Sequence, residues 1–61
     1  MWIEDAEAKL WRMATVLDAM NPIPSPEADD LKRRVDLLRA IIIEARLQRK
    51  NEIDLPPDLL G

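Results

Sequence analysis

The residues of this chain that could do chemistry are few, and the types that are missing decide more than those present. There is no His, Cys or Tyr, and Ser25 and Thr15 are the only hydroxyl side chains. Nucleophilic catalysis needs an activated nucleophile beside a base that is itself oriented by a third group, and this inventory offers no such set. Ser25 precedes Pro26, which reads as a helix cap, and Thr15 reads as a helix-surface residue. Carboxylates are plentiful, at 12 Asp and Glu. An acid–base pair tuned by burial would have to interrupt an apolar stripe, and no carboxylate does. The Glu-x-x-His ligand pattern of di-iron bundles is impossible without His. An all-carboxylate magnesium or calcium site is conceivable at "EADD", residues 27–30. Acid at the start of a helix accounts for the same residues through the helix dipole. The expectation is therefore no catalytic residue, no metal ligand, no cofactor and no small-molecule substrate.

Two basic clusters stand out, "KRR" at 32–34 and "RLQRK" at 46–50. A phosphate or nucleic-acid patch would use such residues. Asp29, Asp30 and Asp36 neutralise the first cluster locally, and the second completes the C-terminal dipole of a helix. The net charge of -3, with 9 bases against 12 acids, creates no global pull toward nucleic acid or anionic lipid. No apolar run reaches the 18 or more residues of a membrane span, and the acidic start "MWIEDAEAK" is unlike a secretory signal. These features predict a soluble chain with no membrane partner and no targeting signal, cytoplasmic if made in a cell.

The elements that must position these residues follow from periodicity. Ile3, Ala6, Leu10, Met13, Leu17 and Met20 recur at 3-4-3-4-3, one narrow stripe on a helix spanning about residues 3–20. Met13 and Met20 sit on that stripe as core filler. Asn21 before Pro22 ends the helix, and the loop runs over 21–25. Ser25 as N-cap, Pro26 at the first helical position and Glu27 in the first turn then start a second helix. Its stripe is Ala28, Leu31, Val35, Leu38, Ile42 and Ala45, and Asp29–Arg33 and Asp30–Arg34 are i,i+4 pairs. It should end near residue 51, overhanging the first helix by about two turns. A short loop between two such helices implies an antiparallel hairpin with its stripes face to face. Ile3, Leu10, Met13, Leu17, Met20, Leu31, Val35, Leu38, Ile42 and Ala45 are the expected core. The remainder, 52–61, is too apolar for a solvated tail, so it should dock on the bundle, with a helical turn from Pro56 or Pro57.

One stretch does not fit a two-helix hairpin. In "LLRAIIIEARLQRK", residues 37–50, successive isoleucines point about 100° apart. Ile42 joins the main stripe, Ile41 lies with Leu37 on one flank, and Ala40, Ile43 and Leu47 form a second stripe on the back of the helix. Trp11 likewise falls on the polar side of the first helix, where Pro56 or Pro57 would be a suitable flat partner. For Trp2, at the bundle end, a capping role and no role are both open. A 61-residue chain buries only about 60% of its unfolded surface, and with no Cys or His it has neither disulfides nor thiol- or imidazole-bound metal to support it. Leaving Ile43, Leu47 and Trp11 wet forgoes about 1.5–3 kcal/mol each.

The loop "NPIPSPEADDLKRR", the clean 3-4 stripes, the i,i+4 charge pairs and the dipole-matched ends all agree with one another. In this the whole chain resembles computationally designed (de novo) small helical proteins. The resemblance implies a chain made to fold or assemble, without a natural substrate. The residues lead to an all-α single domain: a hairpin with a docked C-terminal segment, pairing into a four-helix core as a homodimer. Trp11, Leu37, Ala40, Ile41, Ile43 and Leu47 are the candidate interface. A binding module offering the back of the second helix to another protein is the second hypothesis, and a monomer covered by its own tail is the structural alternative to pairing. A small regulator touching nucleic acid through Arg46, Arg49 and Lys50 is the third.

Overall fold

The computed structural model describes residues 1–20 and 23–60, the side chain of Leu60 excepted. Two long helices, α1 (Ile3–Met20) and α2 (Pro26–Leu47), pack along one another, and a single turn, α3 (Pro57–Leu60), follows. Among the described residues there is no strand, only an isolated antiparallel bridge between Trp2 and Glu52. Of the expected loop, residues 21 and 22 lie outside the described residues.

Serine does at position 25 what its side chain allows there. Its backbone is extended (φ -154°, ψ 157°), and its Oγ accepts a hydrogen bond from the Ala28 N–H at 3.0 Å. One of the N–H groups that a helix start leaves unpaired is thereby satisfied, while Pro26 has no N–H to satisfy. Asp30 gathers both neighbouring arginines, Arg33 at 2.8 Å and Arg34 at 3.1 Å. Arg33 thus turns to Asp30, one turn back, and not to the expected Asp29.

The end of α2 departs from expectation. The helix stops at Leu47 and not near residue 51. The Arg49 N–H donates to the Arg46 carbonyl at 3.1 Å and the Lys50 N–H to the Ala45 carbonyl at 2.9 Å, with Arg49 in the left-handed region at φ 57°. This is a Schellman closure with arginine in the place usually taken by glycine. Without a glycine the stop carries no sequence mark.

What the closure achieves is a change of direction. The chain returns to the start of α1, where the Asn51 carbonyl accepts the Ile3 N–H at 2.9 Å and the Met1 carbonyl accepts the Ile53 N–H at 2.8 Å. Position 2 carries tryptophan, which cannot cap with a side-chain oxygen, so the backbone of the returning segment caps α1 instead. The expected overhang is therefore absent. Residues 51–53 occupy the level at which α1 begins.

The core lies at this end. Ala6, Leu38, Ile42, Ala45, Ile53 and Leu59 form one buried cluster, with Ile3, Leu10, Met13, Ile41 and Leu55 packed partly buried against it. Of the expected core, Val35, Leu38, Ile42 and Ala45 are buried. Ile3, Leu10, Met13, Leu17, Met20 and Leu31 are only half-buried, because two helices alone enclose just the line where they touch. Ile53 and Leu59 are core residues that stripe reasoning left on the docked segment; their size and apolarity were the signal.

Candidate protein interface

Once the tail has docked, several large apolar side chains are still uncovered. Leu47 is 75% exposed, Trp11 74%, Ile43 52% and Leu37 41%. Ala40 is also exposed, whereas Ile41 is half-buried against the core. The expected contact of Trp11 with Pro56 or Pro57 is not made in a way that shields the indole. The prolines belong to a segment that packs on α2, away from the side that Trp11 occupies.

Helical phase sorts the six candidates into two groups. Arg46 forms an ion pair with Glu7, which ties one side of α2 to one side of α1. At about 100° per residue, Ile43 lies one turn before Arg46 on that side, and Trp11 lies one turn after Glu7. Ile43 and Trp11 therefore flank the ion pair on a single face of the hairpin, and Ala40 and Leu47 continue the Ile43 stripe toward the outer edge of α2. Leu37 and Ile41 lie on the opposite flank of α2, the side to which the tail returns. There Ile41 joins the core, while Leu37 is left beyond the tail's reach. Val16, 52% exposed, falls on the same flank of the hairpin as Leu37. The two flanks of α2 that the wheel separates, Leu37 with Ile41 and Ile43 with Leu47, are thus separate surfaces in the fold as well.

Between α2 and the returning segment runs an open groove of about 720 Å³, lined in part by Ala40, Ile41, Glu44, Gln48, Glu52 and Asp54. Two of its polar groups pair with each other, Gln48 Nε2 donating to Glu44 Oε1 at 2.7 Å. Among the described residues no group of three or more Asp, Glu, His or Cys is arranged to hold a metal ion. The basic residues are likewise dispersed: Arg33 and Arg34 face Asp30, Arg39 lies 4.0 Å from Asp36, and Arg46 is held by Glu7. Arg49 lies in the turn that ends α2. No described helix is long and apolar enough to cross a membrane.

The polar network and the apolar face have different physical weights. The ion pairs are all solvent-exposed, a class worth about 0–1 kcal/mol each. Burying Ile43 or Leu47 against a partner would contribute about 1.5–3 kcal/mol per side chain. The uncovered apolar residues are therefore where association could gain most. No protein family, curated protein or solved structure matches the chain.

Proposed function

We propose that this chain is a structural, self-assembling protein without catalytic activity, which associates with copies of itself through the uncovered face of α2. The two hairpins would then share a four-helix core, and a two-fold dimer is the simplest closed form. The resemblance to designed helical proteins fits the same reading. The observation that carries it is the exposure of Ile43 and Leu47 on a well-formed helix whose opposite side is already buried.

Light scattering behind size exclusion, over a dilution series, tests the reading. The expected mass is a stable multiple of 7.0 kDa. Ile43→Glu should move it toward the single-chain value while the helical signal in circular dichroism persists. Ile42→Glu, which places a charge in the buried cluster, should unfold the chain outright. A folded monomer at every concentration would refute self-assembly and leave the same face to a heterologous helix.

A further inference from the structure

The uncovered stripe of α2 has a direction, and this directionality points to how a second copy would sit on it. Resting on the self-association reading above, we infer that two chains meet through α2 packed antiparallel on α2 of the partner copy, with the two-fold axis close to Ile43. Two independent features of the helix lead there.

The first is side-chain size. Ala40, Ile43 and Leu47 follow one another at spacings of three and four, so they stand in line on the back of α2. A parallel pair would place Leu47 on Leu47, Ile43 on Ile43 and Ala40 on Ala40. The helices would be held apart at one end and left with a gap at the other. In an antiparallel pair centred at Ile43, each Leu47 lies over the small Ala40 of the other chain. The three layers are then symmetric about Ile43 and closer in volume than in the parallel pair, which even packing favours.

The second is charge. Within α2, residues 26–38 carry four acids against three bases, and residues 39–47 carry two bases against one acid. Parallel helices would set the basic halves side by side and repeat Asp36 against Asp36. Antiparallel helices set the basic half of one against the acidic half of the other and move the two Asp36 carboxylates apart. The separation counts because Asp36 shares the stripe of Ala40 and Ile43 and its side chain is 61% exposed. The helix dipoles also oppose one another in this arrangement.

The native chain has no cysteine, so single substitutions report position cleanly. Ala40→Cys, Ile43→Cys and Leu47→Cys variants of the full chain would each be treated with a short bis-maleimide, alone and in mixtures, and read by denaturing electrophoresis. The antiparallel arrangement predicts linked dimers from Ile43→Cys alone. It predicts little product from Ala40→Cys or Leu47→Cys alone, and at least a tenfold gain when those two are mixed. Ala40→Cys is nearly isosteric, so loss of the fold would not silence the test. Strong self-linking of Ala40→Cys and of Leu47→Cys would overturn the inference in favour of a parallel pair. Dimers by light scattering with no cross-link in any combination would overturn it by placing the contact elsewhere. A single-chain mass for the unmodified protein would remove the underlying reading itself, an outcome distinct from both.

Discussion

The two ends of the hairpin are built from the same stripes but are buried very differently. At the tail end three layers meet: α1, α2 and the returning segment enclose Ala6, Leu38, Ile42, Ala45, Ile53 and Leu59. At the loop end only two helices face each other: Val35, on the line of contact, is buried, while Leu17, Met20, Ala28 and Leu31 stay half-buried. Spacing does not distinguish the two, since both read 3-4-3-4. The difference comes from whether a third element covers the seam. An amphipathic helix pair buries a line of contact, and only a further layer turns that line into an enclosed volume.

Cavity-forming substitutions give the largest way to break this comparison. Leu59→Ala should cost about 2–5 kcal/mol, since the side chain is 1% exposed and its loss opens a void among packed neighbours. For so small a chain this approaches total stability, and urea unfolding followed by circular dichroism would show a nearly unfolded baseline. Leu17→Ala, at the half-covered end, should cost about 1 kcal/mol in a single chain, because less area leaves water and solvent fills the gap. A cost at Leu17 as large as that at Leu59 would show that the loop end is covered by another copy. Comparing the two variants at high and at low protein concentration would sharpen the contrast.

Smaller effects probe how each end is closed. Ser25→Ala removes the acceptor for the Ala28 N–H and should lower stability by about 1 kcal/mol, measurable as a shift in the urea midpoint at unchanged slope. Arg49→Gly should act in the opposite sense. The left-handed backbone at Arg49 costs a residue with a Cβ about 1 kcal/mol, and glycine relieves it, at some cost in the entropy of the unfolded chain. A net gain of about 0.5 kcal/mol is expected, read as a higher unfolding midpoint. A loss instead would mean that the arginine side chain contributes to closing the tail end.

Much of the fold is legible before any coordinates. The bounds of α1 follow from its stripe and from Asn21–Pro22, and the start of α2 from Ser25 and Pro26. Each rests on a local rule: a pre-proline residue leaves the helical region, and a serine oxygen reaches the third N–H of a helix. The end of α2 was not legible, because the Schellman turn falls on arginine and its cause lies more than forty residues away, at the Ile3 N–H that Asn51 caps. The candidate interface was legible in part. Ile43 and Leu47 are exposed as the wheel requires, while Ile41, equally apolar, was claimed by the core once the tail arrived on its flank.

The sequence by itself determined which segments are helical, which stripe of each faces inward and that more apolar surface exists than two helices can cover. These are properties of spacing and of local hydrogen bonding, and they need no knowledge of distant contacts. Only the tertiary structure decided where α2 stops, that a carbonyl from the returning segment caps α1, and which flank the tail covers. Those outcomes depend on which unsatisfied backbone groups and apolar faces meet once the chain has folded back, and a linear pattern does not encode that meeting.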